Sequence, residues 1–390
     1  LSDAQATAIL DLRLAKLTKL EIYKLEEELA SLKKLMKELS EIISSKARQM
    51  EVVKTELLAV KKKFAEDRRT GIISGGEELS TETLVQSLKE VDELVVGYTA
   101  AGAFKKMTAK NYRMSDKKVK ENSNESDFFK VVCQARSDQY LLAFTNLGNC
   151  CKIDLESAPE CRFRDKGHKF TEVIRDAARN EYPVAFFAVD KDKLPSGHVL
   201  FYTKNGLIKK TEWSEYNVIK PYYQAIKLKE DDVLIGAEQD TEGTTIAFIT
   251  KDGLCLNALK DDIPVQGRVA GGVKGLNISK GDQIVFVGQV DEEGEFVIIS
   301  DGGFYKKVLT TEIEPMARYR KGVKIVTLAD SKVVYAGYVK EPFDLAVIDS
   351  FTVCFKVNTE DLSIENRTTK GKTLKNENKK RAPEKVYKIY

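Results

Sequence analysis

Lysine is the residue whose type and spacing could do work in this chain, and the work would be electrostatic. The stretch FYTKNGLIKKTEWSEY at 201–216 sets Lys209 beside Lys210 just past a Lys-Asn-Gly turn. The arrangement returns as Lys105 with Lys106 and as Lys306 with Lys307, and single lysines hold the matching place at Lys152 and Lys356. A second recurring phrase carries Lys169, Lys227, Lys274 and Lys324, with Arg268, Arg318 and Arg320 close by. Ammonium groups repeated in register neutralise phosphates in a row, which grips a polyanion without reading its sequence. One Lys-Lys pair at a strand end would signify only a solvated, aggregation-resistant edge. Recurrence is what makes these a candidate site.

Other chemistries find little support. His168 and His198 are the only histidines, too few for a Cys/His zinc site or a nucleophile–imidazole relay. The six cysteines, Cys133, Cys150, Cys151, Cys161, Cys255 and Cys354, form no CxxC pair and suggest a reducing, cytoplasmic setting. Neither GxxxxGK[ST] nor a strand followed by GxGxxG occurs, so nucleotide binding is not indicated. No stretch approaches ~18 uncharged apolar residues, and no membrane partner is expected. The opening LSDAQATAIL has neither an initiator Met nor a signal-peptide pattern and reads as cut from a longer chain.

Charge is unevenly placed. Residues 1–70 hold 15 basic against 12 acidic residues, 366–390 hold 9 against 2, and the stretch between holds 39 against 46. An acidic body excludes a uniformly basic coat but allows a basic stripe.

The elements that must position the lysines come in two kinds. Leu25, Leu29, Leu32, Met36, Leu39 and Ile43 follow a heptad seam. From Leu20 to Ile43 this predicts a helix roughly 36 Å long at ~1.5 Å per residue. The SSKARQ stretch breaks the register, and Val53, Leu57, Val60 and Phe64 resume it. So long a seam suits a partner helix.

From about Glu93 the period changes from 3.6 to 2. Apolar runs flank turns anchored at Gly102, Gly148, Gly206, Gly253, Gly303 and Thr352, with separations of 46, 58, 47, 50 and 49 residues. Four residues beyond each anchor stand Lys106, Lys152, Lys210, Asn257, Lys307 and Lys356; Asn257 leaves a gap. Between the hairpins lies the second phrase, beginning at Gly167, Gln224, Gly272 and Gly322, with a worn copy at Lys370. Four strands per unit of ~48 residues predicts a propeller-like array whose blades bury their faces on one another. The fold class is therefore mainly β, six-bladed, preceded by a helical arm. The expected divisions are a helical foot and arm at 1–70, a linker at 71–92, the blades at 93–365 and a basic tail at 366–390.

A family resemblance rests on specific residues. LSDAQATAILDLRLAKLT, the heptad helix and KKKFAEDRRT resemble the A subunit of bacterial type IIA DNA topoisomerases. In that family such a segment is the foot of a coiled-coil arm, where two subunits meet at the exit gate, and a six-bladed β-pinwheel with FTxxG and GxKG phrases follows. The resemblance implies that Leu10, Leu14 and Leu17 help close a homodimer and that the blades bend double-stranded DNA for strand passage. It also implies that the partner in the parent assembly is a B (ATPase) subunit, through which ATP and Mg2+ enter, with no cofactor in this segment. The Gln-Arg-Arg-Gly-Gly-Lys-Gly box of gyrase is missing from the first blade, which reads KNYRMSDKKVKENSNESD; QGRVAGGVKG at 266–275 is the nearest echo. The reading therefore leans to topoisomerase IV. The alternative is a gyrase A subunit, which wraps DNA, and the competing class is a protein-interaction propeller on a coiled coil. MARYRKG imitates the family's catalytic stretch with Ala317, Arg318 and Tyr319, but it falls between two β phrases rather than on a winged helix. No catalytic residue is expected in this segment.

Overall fold

The computed structural model describes residues 2–11, 19–65, 91–115, 119–376 and 379–390. The chain divides into two compact units, Leu1–Ser87 and Leu88–Tyr390.

The first unit is helical. Helix α1, Asp3–Leu10, starts with a capping box in which Ser2 and Gln5 satisfy each other's backbone N–H groups. Helices α2, Lys19–Ser44, and α3, Lys46–Phe64, are separated by a single residue. That residue is Ser45, which caps α3 through the backbone N–H of Arg48, so the break foreseen over six residues is one residue long. The seam is open along its length, with Leu29 52%, Met36 67% and Leu57 62% exposed. None of the described helices is long and apolar enough to cross a membrane.

Among the described residues the second unit is six antiparallel sheets, one per blade, with a small two-stranded hairpin beside them. Blade 1 is built from Glu93–Thr99, Ala103–Thr108 and Phe129–Arg136, and blade 2 from Gln139–Thr145, Asn149–Asp154 and Pro183–Asp190. His198–Thr203, Leu207–Glu212 and Leu234–Gln239 make blade 3; Thr245–Thr250, Leu254–Ala258 and Ile284–Val290 make blade 4. Blade 5 is Glu295–Ser300, Phe304–Leu309 and Val333–Val339, and blade 6 is Asp344–Asp349, Cys354–Asn358 and Pro383–Lys388.

All six hairpin anchors adopt left-handed backbone, from Gly102 at φ 91° to Thr352 at φ 62°. Glycine takes that conformation freely, which is why five of the six anchors are glycine. The long third strands touch one another in sequence around the ring, and Pro383–Lys388 of blade 6 touches Phe129–Arg136 of blade 1. Ring closure removes the exposed edges an open array would carry. The cores lie between blades: Leu94 and Val96 pack on Leu141 and Ala143, and Phe144 packs on Phe201 and Trp213. No sheet buries both faces by itself.

The fourth strand of each blade is donated by the repeat that follows. His168–Lys169 pairs with blade 1, Tyr222–Gln224 with blade 2, Val273–Lys274 with blade 3, Val323–Lys324 with blade 4 and Lys372–Thr373 with blade 5. At blade 6 the segment 119–124 takes that side, with Cys354 N donating to the carbonyl of Glu121 at 2.9 Å. This corrects the division of the chain: 366–390 is no tail, because it supplies an outer strand to blade 5 and a long strand to blade 6. Of the expected linker at 71–92, only residues 91 and 92 are described.

Candidate nucleic-acid interface

The hairpin lysines sit inside the protein, contrary to the expectation that placed them on its rim. Lys105, Lys209 and Lys306 are 5%, 0% and 1% exposed. Each ammonium group donates to backbone carbonyls of the donated segment: Lys105 to Phe163 at 2.8 Å, Lys209 to Ala225 at 2.9 Å and to Arg268, and Lys306 to Asn366, Arg367 and Thr369 at 2.9, 2.9 and 3.0 Å. Burial pushes Lys209 down to about 7 and Lys306 down to about 8, because desolvation disfavours the charged form. These lysines fasten loops. Blades 2, 4 and 6 have Cys151, Leu256 and Phe355 at the same place, so the fastener occurs in alternate blades.

The second residues of the pairs are also engaged. Lys106 donates to the Leu155 carbonyl at 3.0 Å, Lys210 pairs with Asp240 at 2.7 Å, and Lys307 pairs with Glu295 at 2.7 Å. Asn257, the apparent gap, donates to the Ile313 carbonyl at 3.0 Å and so replaces Lys106 in kind. Lys152 is half-buried with its ammonium 4.2 Å from the centre of the Tyr140 ring, and exposed Lys356 pairs with Asp344 at 3.1 Å. A buried cation held by fixed acceptors is unavailable to a phosphate.

What remains at the surface belongs to the second phrase. Lys169, Lys274 and Lys324 are exposed and face Ala103, Leu207 and Leu254 in the same register of the strands donated to blades 1, 3 and 4. Lys227 is exposed but lies three residues beyond that register, whose place in blade 2 is held by Gln224. In blades 1, 3, 4 and 5 a glycine just before the donated strand lets it come close: a Cβ on Gly322, at φ 77°, would lie 2.3 Å from the Cys255 carbonyl oxygen.

The arginines have two roles. Half-buried Arg268 donates to the Gln224 carbonyl, and Arg318 donates to the Lys274 carbonyl at 3.0 Å and to the Asp262 carbonyl at 3.1 Å. Arg367 repeats the contact on the Lys324 carbonyl at 3.1 Å. It escaped the sequence reading, although its signal was there: Arg268, Arg318 and Arg367 each stand four residues before Gly272, Gly322 and Gly371. Arg318 and Arg367 hold the backbone under exposed Lys274 and Lys324, Arg268 does so under Gln224, and Arg320 is itself exposed. Tyr319, at φ 63°, receives the Lys274 ammonium on its hydroxyl at 3.1 Å. At the foot, Leu10 ends α1 with 84% exposure; Leu14 and Leu17 lie outside the described residues.

The resulting arrangement is a closed ring of sheets whose outer strands carry exposed lysines at one register position in blades 1, 3 and 4. Comparison with known proteins agrees with the architecture. The family described as DNA gyrase C-terminal domain, beta-propeller, matches residues 197–239, 244–291 and 294–340, which are the repeats of blades 3, 4 and 5. The A subunit of DNA gyrase from Staphylococcus epidermidis is 28% identical over 384 residues, covering 96% of this chain and 42% of that protein. The Helicobacter pylori protein of the same name is 29% identical over 387 residues, covering 96% and 46%. The chain thus spans less than half the length of these relatives. Among solved structures, the C-terminal domain of DNA topoisomerase IV superposes with a TM-score of 0.66 at 23% identity, covering 77% of this chain and 94% of that one. The DNA gyrase A C-terminal domain gives 0.56 at 20% identity, covering 77% and 100%, and both likenesses speak to the fold. By its repeats, its relatives and its ring of blades, the chain is similar to the A subunits of bacterial DNA gyrase over 96% of its length, and blades 3 to 5 match the DNA gyrase C-terminal β-propeller family.

Proposed function

We propose that the blades hold double-stranded DNA along their outer edges and bend it, within a longer A subunit that passes one duplex through another. The observation that carries this is the shared register of Lys169, Lys274 and Lys324, exposed on the donated strands of blades 1, 3 and 4. Phosphates are neutralised without regard to base sequence, and counterions are released. Bending tens of base pairs costs a few kcal/mol, offset by the further phosphate contacts that form as the duplex follows the curve. Transesterification and ATP hydrolysis are assigned to other parts of the assembly: a tyrosine upstream of this segment, and a B subunit that supplies ATP and Mg2+. Homodimerisation is assigned to the helical foot around Leu10, and the setting is the bacterial cytoplasm.

The topoisomerase IV reading is favoured over gyrase because the first blade lacks the basic glycine box, so bending is proposed without chiral wrapping. One experiment separates the alternatives. Fragments of about 150 base pairs, near the persistence length of DNA, resist ligation into circles. The full chain is expected to accelerate their circularisation while leaving unchanged the linking number of a relaxed plasmid treated with a nicking–closing enzyme. A shift in linking number favours the gyrase reading; no acceleration and no retained DNA favours an interaction propeller.

A further inference from the structure

The donated segments differ in charge around the ring. In equal windows aligned on the donated-strand register, centred near Gly167 in blade 1 and Tyr222 in blade 2, residues 162–177 hold five basic against three acidic residues, and 217–232 hold three against three. Residues 267–282 hold three against one, 317–332 five against one, and 366–381 seven against one. The maximum falls on blade 5, at the segment whose composition alone suggested a tail.

Geometry concentrates that charge. The donated strand Lys372–Thr373 continues into a small hairpin, Lys375–Asn376 with Lys379–Lys380, fastened back where Arg381 N donates to the Leu374 carbonyl at 3.0 Å. Leu374 N in turn donates to the carbonyl of Gly303, the blade 5 anchor, at 2.8 Å. This brings Lys370 and Lys380 over one ring: their ammonium groups lie 4.0 and 4.5 Å from the centre of Phe304. The corresponding residues of blades 1 to 4 are Ala103, Asn149, Leu207 and Leu254, none of them aromatic. Among the described residues, neither Lys370 nor Lys380 forms an ion pair, and exposed Lys372 has only Glu365, 4.0 Å away. Two ammonium groups held within 4.5 Å of one ring centre put two positive charges beside the same side chain, and a phosphate oxyanion there forms charge-assisted hydrogen bonds with either.

We infer that the outer edge of blade 5, with Lys370, Lys372 and Lys380 around Phe304, is a backbone-phosphate site and the place where a bound duplex is held tightest. The inference rests on the DNA-binding reading above and adds a location and a polarity to it: the duplex is anchored at blades 4 and 5 and followed less tightly toward blade 2.

The test uses the full chain and a 40-base-pair duplex of mixed sequence, with affinity measured between 50 and 200 mM salt. Lys370→Glu with Lys380→Glu is compared with Lys166→Glu and Lys169→Glu, the blade 1 counterpart, and circular dichroism confirms the fold of each. The blade 5 pair is expected to weaken binding at least tenfold and to lower the salt slope by about 1.8, the value for two phosphate contacts. The blade 1 pair is expected to cost less than the blade 5 pair and to lower the slope by about 0.9, the single contact assigned to Lys169. Lys370→Gln with Lys380→Gln should fall between wild type and the charge reversal. Equal losses in blades 1 and 5, or none in blade 5, overturn the inference while leaving DNA binding intact. A wild-type chain that binds no duplex overturns both.

Discussion

The Lys306 ammonium lies 2.9 Å from the carbonyl oxygen of Arg367, a residue 61 positions later in the chain. The contact ties the hairpin of blade 5 to the loop that delivers its donated strand, and the Arg367 side chain reaches on to the Lys324 carbonyl of blade 4. One lysine thus fastens a loop whose arginine secures the neighbouring blade. Lys306→Met keeps the aliphatic stem and removes the donors, leaving three carbonyls without their cation. Loss of such buried partners costs about 1–3 kcal/mol. Urea denaturation of the variant should show a destabilisation in that range, and an unchanged midpoint would remove Lys306 from its fastening role.

Lys209 predicts a pH effect of definite sign. Its folded pKa is lowered to about 7 by burial, with nearby Arg268 acting in the same direction, against roughly 10.4 for an unperturbed lysine. Above about pH 7 the unfolded chain keeps a proton that the folded chain releases, so this group makes stability rise with pH until the unfolded lysine titrates. Below pH 7 both states are protonated and the dependence stops. The stability difference between wild type and Lys209→Met should therefore move in favour of wild type from pH 6.5 to 8.5, by about 1–2 kcal/mol at up to ~1.4 per unit. A difference that is flat across that interval would contradict the assignment.

Close approach of the donated strands predicts a contrast between two glycines. Gly322 and Gly281 both have left-handed backbone, at φ 77° and 89°. A Cβ at Gly322 meets the Cys255 carbonyl oxygen at 2.3 Å, whereas at Gly281 it meets nothing within 4 Å. Gly281→Ala should cost only the conformational penalty, about 1–2 kcal/mol. Gly322→Ala must also push a strand away from its blade and should cost at least about 2 kcal/mol more. Equal losses, read by thermal or urea denaturation, would show that the strand has slack.

The ring was legible in the sequence because its repeats carry turn chemistry that local physics dictates. Gly102, Gly148, Gly206, Gly253 and Gly303 were placed by spacing alone, and all take the left-handed conformation their turns require. Strand donation was not legible: hydrophobic alternation tells which residues face a core, but Val273 and Lys274 alternate identically whether they pair with their own repeat or with the one before. The site was misjudged for a related reason. Recurrence in register marks a shared structural duty as readily as a shared ligand, and Lys105, Lys209 and Lys306 recur because three loops need fastening. The lysines at the surface, Lys169, Lys274 and Lys324, differ in serving no carbonyl among the described residues, and only coordinates separate the two sets.

The outer strands rather than the hairpin lysines are the proposed binding surface, and the salt dependence of duplex binding tests that most directly. Lys169→Glu, Lys274→Glu and Lys324→Glu combined should reduce the slope of log affinity on log salt by about 2.7, at ~0.9 per phosphate contact. The same loss should appear for duplexes of unrelated sequence. A slope equal to that of wild type, with affinity retained, would contradict the account.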